Sequence, residues 1–165
     1  MQDKQYALDL GAGALNDSIF LLSEHFEKVI AVDKNSIANG VANTLPRKHF
    51  KYVISSFEDF LFQPNTFNLI SAQYAIPFIN PSDFNRVFND IKKSIKIDGV
   101  FTGQFFGDKD EWRENAKMTF HTKKQVDILL HDLEILEFEE EEVDKFTAMG
   151  VMKHWHIFHF IVKNS

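Results

Sequence analysis

Short apolar runs recur along the chain, and most are followed by stretches in which apolar residues return every three or four positions. Tyr6-Ala-Leu-Asp-Leu10 predicts a buried strand, and Ile19, Leu22 and Phe26 predict a helix from about Asn16 to His25. Asp17 and Ser18 fall in the first turn of that helix, where cap-type side chains and negative charge are favoured. A second strand is expected over about 28–33, a short helix from Asn35 or Ser36 to about Thr44, and a third strand over 50–54. Residues 67–71 predict the fourth strand. Phe84, Val87, Phe88, Ile91 and Ile95 predict the core face of a helix that starts at Ser82 or Asp83 and reaches about Ile97. Asp98-Gly99 reads as a turn before a fifth strand over 100–106, and a helix is entered at Thr122. Residues 133–142 and 155–162 predict two final strands that pair as an antiparallel hairpin. The expectation is an α/β, doubly wound, three-layer sandwich: a mostly parallel seven-stranded sheet ending in that hairpin.

The chemistry concentrates where the first strand meets its helix. Asp9 is followed by Gly11 and Gly13 at alternate positions, in Asp9-Leu-Gly-Ala-Gly13. Gly11 permits unusual backbone angles, and Gly13 lets a ligand approach the main chain. The unpaired amides of the helix start are expected to face the same place. The second strand ends in Asp33, twenty residues beyond Gly13, where nucleotide-binding α/β folds carry an acid that accepts from ribose hydroxyls. A dinucleotide fingerprint asks for a third glycine at 16, and Asn16 stands there.

An acid followed by x-Gly-x-Gly resembles the first motif of the class I S-adenosylmethionine-dependent methyltransferases. Ala31-Val-Asp-Lys-Asn35 and the spacing of the later strands are similar to the small tellurite-resistance-type members. Many members of the family have a further glycine where this chain has Leu15. The resemblance extends over nearly the whole chain, with its sharp motifs in the first third. It implies that the sandwich is of the Rossmann-like methyltransferase type and that the cofactor is S-adenosyl-L-methionine, leaving as S-adenosyl-L-homocysteine. It further implies cofactor contacts from Asp9, Gly11, Ala12, Gly13, Asp33, Lys34, Ser56, Phe57, Glu58 and Gln73. Ser56 and Phe57 fall where family members hold the adenine, although Asp is common at the position of Ser56. Taken from the residues alone, Ser56 with Asp59 three places on is also a simple helix cap. Acceptor contacts are expected from Tyr74, Phe78, Trp112, His121 and His154, with loop packing as the alternative role for the aromatics. The run after the fourth strand, Ala72-Gln-Tyr-Ala-Ile-Pro-Phe78, lacks the Asn/Asp-Pro-Pro-Tyr/Phe sequence of enzymes that methylate exocyclic amines.

Composition narrows the partners. The chain has 165 residues and a formal net charge of −6, which argues against a nucleic-acid backbone as main partner. No apolar run is long enough to span a bilayer, no signal peptide pattern precedes the first strand, and a cytoplasmic location is the default expectation. There is no cysteine, so neither thiolate nucleophile nor thiolate metal site is possible. Eighteen phenylalanines against three tyrosines and two tryptophans predict a phenylalanine-rich core. The acids Glu137 and Glu139–Glu142 predict a solvated sheet edge.

His154 and His156 share a strand face and His159 takes the other. No third metal ligand is evident beside them, and no metal is expected. His121 and His154 are equal candidates for a base, since histidine titrates near neutral pH. A sulfonium donor already activates its methyl group, so the protein's main task is to hold a nucleophile in line. No catalytic triad is present, and no catalytic residue is assigned. Residues 1–165 are expected to form a single S-adenosylmethionine-binding domain without the N-terminal helices that usually cover the cleft. A small-molecule acceptor follows, with a homodimer as one way of covering the open site. The competing readings are a catalytically silent cofactor-binding partner protein and an NAD-dependent oxidoreductase. Asn16 and the terminal hairpin disfavour the latter.

Overall fold

The computed structural model describes residues 4–165. Its strands are β1 (Tyr6–Leu10), β2 (Lys28–Asp33), β3 (Phe50–Ile54), β4 (Phe67–Ala72), β5 (Ile95–Gly107), β6 (Phe120–His121), β7 (Glu134–Phe146) and β8 (Met152–Lys163). The helices are α1 (Asn16–Ser23), α2 (Asn39–Ala42), α3 (Phe84–Ser94) and α4 (Lys123–Leu130), with a 3-10 turn at Ile76–Phe78. The sheet runs β3-β2-β1-β4-β5-β8-β7, and β6 adds to β5 off that path. The pairings from β3 through β5 are parallel, whereas β8 is antiparallel to both β5 and β7. The expected doubly wound sheet with a C-terminal hairpin is therefore present, with eight strands in place of seven.

Two cores cover the two faces of the sheet. One joins Leu8, Phe67, Phe101, Phe105, Phe158 and Phe160 to the inner faces of α3 and α4. The other packs Ala7, Val29, Ala31 and Phe50 against Leu21 of α1 and Ala38. The first core is rich in phenylalanine as expected: Phe84 stacks on Phe88 at 5.6 Å, and Phe105 on Phe160 at 5.0 Å. The acidic strand β7 is one edge of the sheet, β3 being the other, and is exposed along most of its length.

Several boundaries depart from the sequence pattern. Helix α1 stops at Ser23 because His25 takes φ +64° and turns the chain toward β2. Helix α3 stops at Ser94, and β5 begins at Ile95, which is buried and pairs with Phe67. The Asp98-Gly99 turn is thus an irregularity within a long strand, with Asp98 at φ +63°. Helix α2 is only four residues long, since the Asn35 amide is bound by Asp33 instead of opening the helix. The β7–β8 pairing continues to Phe146 and Met152, so the turn is confined to residues 147–151. The expected caps of α1 and α3 are absent, because those side chains bond elsewhere, and α2 starts after Ala38, beyond the reach of Asn35 and Ser36. Thr122, by contrast, makes a full capping box with Gln125.

Candidate functional site

The turn between β1 and α1 is held by the protein itself. The Gly11 and Ala12 amides both donate to the Val32 carbonyl, at 2.9 and 3.1 Å, and the Gly13 amide donates to Asp33 Oδ2 at 2.9 Å. These three amides are therefore bonded within the protein. Gly11 has φ +72°, and a Cβ there would stand 2.6 Å from the Ala75 Cβ. The first favours glycine and the second requires it, bringing the β4 loop directly over the turn. Gly13 has φ +47° and only Gly11's carbonyl oxygen within 4 Å of a would-be Cβ, leaving room above it. Leu15 also adopts a left-handed conformation, φ +68°, which glycine takes without cost. Its side chain is fully buried, and that packing favours leucine at this position.

Three carboxylates surround this turn. Asp9 is buried and accepts from the Ser18 hydroxyl at 2.6 Å. Burial pushes its pKa up to about 6, against the opposing effect of the Ser18 hydrogen bond, and the nearby Asp17 and Asp33 add to the rise. Asp17 accepts from Ser71 at 3.0 Å. Asp17 and Ser18 thus tie α1 to β4 and β1 and do not cap the helix. Asp33 uses one oxygen for Gly13 and the other for the Asn35 amide at 2.8 Å. A carboxylate oxygen has a second lone pair, so both remain able to accept from a ligand.

The cleft beyond the strand ends has a volume of about 610 Å³. Gly11, Asp33, Lys34, Ser56, Phe57, Glu58 and Gln73 line it, together with Tyr74 and Phe78. Asp9, Ala12 and Gly13 lie outside its lining, and Asp9 is buried beneath the turn. Ser56 does bond Asp59, its hydroxyl donating at 2.8 Å and accepting from the Asp59 amide at 3.2 Å, but a turn follows and not a helix. One lone pair of that hydroxyl is left over. Glu58 accepts from the Asn80 amide at 2.9 Å, closing the rim. Sequence reasoning missed Asn35, Ser55, Ala75, Asn80 and Lys117, which also line the cleft. Their spacing carries no signal, because loops from four parts of the chain bring them together.

A chain of polar contacts runs from the turn to Tyr74. The Gln73 amide nitrogen approaches Ser71 Oγ at 3.5 Å, the Gln104 amide nitrogen donates to Gln73 at 2.6 Å, and Gln104 Oε1 accepts from the Tyr74 backbone at 2.6 Å. This fixes Tyr74 at φ +53°, a strained conformation for an aromatic residue, with its ring at the mouth of the cleft.

The remaining candidates separate. Trp112 lies outside the cleft but lines an adjoining cavity together with Tyr74 and Phe78. His121 is buried in the core, its ring 4.6 Å from Phe84 and 5.3 Å from Phe105. Its Nδ1 has no partner, and burial pulls its pKa down to about 4. It reaches neither cavity and is not a base for the cleft. His154 points to Asp144 at 2.7 Å and Glu142 at 3.4 Å, which hold its pKa above the ordinary value, and it too lines neither cavity.

Residues 7–99, more than half the chain, match the family described as Methyltransferase domain. The chain belongs to that methyltransferase family. A curated relative, the mitochondrial arginine-hydroxylase NDUFAF5 of Mus musculus, is 31% identical to this chain over 109 residues, 64% of this chain and 30% of that protein. Its Homo sapiens counterpart is 32% identical over 104 residues, 61% of this chain and 28% of that protein. The matched stretch therefore spans less than a third of these relatives. Among solved structures, TehB from Haemophilus influenzae superposes with a TM-score of 0.79 at 15% identity, covering 97% of this chain and 57% of that one. An S-adenosylmethionine-dependent methyltransferase from Methanosarcina mazei gives 0.72 at 18%, covering 99% and 94%. The 1,6-didemethyltoxoflavin-N1-methyltransferase of Burkholderia thailandensis, solved with that compound and S-adenosylhomocysteine, gives 0.75 at 14%, covering 99% and 72%. The chain therefore has the Rossmann-like fold of the class I S-adenosylmethionine-dependent methyltransferases.

Proposed function

We propose that the protein transfers a methyl group from S-adenosylmethionine to a small-molecule acceptor. The observation that carries this reading is the composition of the glycine turn. Its amides at 11, 12 and 13 are consumed internally, while Asp9, Asp17 and Asp33 crowd the same place. A pyrophosphate needs free amides and a positive field there. A sulfonium cation needs the reverse, so the local field favours S-adenosylmethionine over a dinucleotide. The residues present fit the rest of that cofactor. Asp33 stands at the end of β2 with lone pairs for two ribose hydroxyls, and the Phe57 ring and Ser56 hydroxyl form the far wall where a purine would lie. Lys34, Glu58 and Gln73 complete the lining. Gly11 keeps the floor of the cleft open, because any side chain there would strike Ala75.

The cofactor when bound supplies a methyl group already activated by the positive sulfur. The chain's own part is positioning. Gln104 locks Tyr74 at the boundary between cleft and adjoining cavity, and Phe78 stands beside it. Holding an acceptor in line at that boundary is worth several kcal/mol of barrier, on the order of 7–11 for well-aligned pairs. The acceptor of the Burkholderia enzyme is a small molecule, which supports the same class here.

The test is calorimetric titration of the purified protein with S-adenosylhomocysteine and, separately, with NAD. Micromolar binding of the first is expected, weakened at least about tenfold in Asp33→Ala by loss of the diol contacts. Binding of NAD with no binding of S-adenosylhomocysteine would overturn the reading.

A further inference from the structure

Beside the cleft lies a second cavity of about 540 Å³, lined by Tyr74, Phe78, Phe106, Trp112 and Trp155 and by the hairpin tip at Phe146–Met149. Tyr74 and Phe78 line both cavities, so the second adjoins the cleft at its aromatic mouth. The size lies within the range of small-molecule sites, roughly 300–1,000 Å³. Phe146 is 68% exposed and Met149 91% exposed, an apolar surface that the protein leaves open to water.

The aromatic wall is backed by a buried ion pair. The Lys153 ammonium lies 3.7 Å from the Trp155 ring centre, 4.4 Å from that of Trp112 and 5.3 Å from that of Phe106. Lys153 is paired with Asp110 at 2.5 Å, and both side chains are almost wholly buried, at 1% and 0% exposure. Asp110 also accepts from the Trp112 amide at 2.9 Å and the His156 amide at 3.2 Å. Lys153 is not in the lining, so the cation sits behind the indoles and draws on their π-density from that side.

That placement decides the chemistry of the guest. Rings already facing a cation are poor hosts for a second one, and good stacking partners for an electron-rich, uncharged ring. The charged groups that line the cavity, Glu141 and Lys145, are bonded to each other, and Glu141 also holds His159 at 3.3 Å. No free charge among the lining residues is left to recognise an ionic acceptor.

We propose that this cavity is the acceptor site and that its ligand is an uncharged planar aromatic compound carrying a nucleophilic oxygen or nitrogen. The proposal rests on the methyl-transfer reading above. In the step, the acceptor's lone pair forms the bond to the methyl carbon, and the carbon–sulfur bond breaks with its electron pair passing to sulfur. The acceptor's proton leaves to water, and S-adenosylhomocysteine and the methylated ring are the products.

The experiment titrates three probes into the full chain by tryptophan fluorescence: a neutral naphthol, a naphthoate anion and an N-methylquinolinium cation. S-Adenosylhomocysteine binding is measured on the same samples by calorimetry. The naphthol is expected to bind most tightly. Phe146→Glu and Met149→Asp, at exposed positions that folding tolerates, are expected to weaken it about tenfold each while S-adenosylhomocysteine binding stays within about twofold. Tighter binding of either ion, or naphthol binding indifferent to both variants, would overturn the aromatic acceptor and leave the methyl-transfer reading standing. Failure of the wild-type protein to bind S-adenosylhomocysteine would instead overturn the methyl-transfer reading and the acceptor role with it.

Discussion

Replacing Asp9 by asparagine removes a carboxylate that is buried beneath the glycine turn and keeps an oxygen for the Ser18 hydroxyl. In the folded chain Asp9 titrates at about 6, against 3.8 for an ordinary aspartate. The difference of about 2 units, at about 1.4 kcal/mol per unit, makes the ionised form cost about 3 kcal/mol. The folded state binds the proton more tightly, so this contribution is fully present below pH 4 and lost as pH rises through 6. His121 works in the opposite sense. Its pKa falls from 6.5 to about 4 on burial, so its contribution is present above 6.5 and lost as pH falls through 4. The two slopes nearly cancel between pH 4 and 6. Asp9→Asn is expected to uncover the His121 slope and to gain about 2 kcal/mol at pH 7, after about 1 kcal/mol is taken back by the new amide's unmatched donor. Urea midpoints from pH 3.5 to 8, taken as the difference between wild type and variant, isolate the effect from all other groups. A difference that does not change with pH would refute the reasoning, since it would mean that Asp9 titrates alike in both states. The same variant is expected to lose more affinity for the sulfonium of S-adenosylmethionine than for the neutral S-adenosylhomocysteine, and equal losses would remove the field argument for the cleft.

Gly11→Ala places a methyl 2.6 Å from the Ala75 Cβ at φ +72°; with about 1–2 kcal/mol for the backbone and about 1–3 for overpacking, a loss of about 2–5 kcal/mol is expected in urea unfolding, and a loss under about 1 would contradict the packing described. Lys153→Met strands the buried Asp110 carboxylate and is expected to cost about 3–5 kcal/mol, with a red-shifted tryptophan emission as the indole wall loosens. A Lys153→Met protein with unchanged stability and emission would show that the ion pair does not set the wall.

The parallel half of the sheet could be read from the sequence because each strand there is short, apolar and followed by its own turn signal. The glycine turn and Asp33 were legible for the same reason: residue type and spacing together dictate their geometry. Helix starts were less legible. Asp17, Ser18 and Asp83 are good caps by type, but Asp17 and Ser18 bond across to β4 and β1, and Asp83 pairs with Arg86 one turn on. Asp9 was identified by its place in a motif, yet its burial, which determines its role, arises from packing between β1 and α1. His121 and His154 illustrate the limit most clearly. A histidine's usefulness depends on what surrounds it, and one lies against phenylalanines while the other lies between acids. The Lys153–Asp110 pair left no trace in the sequence, since lysine is almost always a surface residue.

The pairing of β5 with β8 has a consequence for biosynthesis. Phe101 faces its partner Val162 across 61 positions of chain, and the buried Phe105 meets Phe158 across 53. A ribosome adding about 5–20 residues per second leaves β5 without that neighbour for roughly 3–12 s after it is made. During this interval one long edge, lined by the largest rings of the core, is open to water and to other nascent chains. The β7–β8 hairpin, whose partners are close in sequence, forms quickly once it emerges and closes that edge. Synthesis of β8 is therefore the event that ends the aggregation-prone period, and slow translation between β5 and β8 would lengthen it.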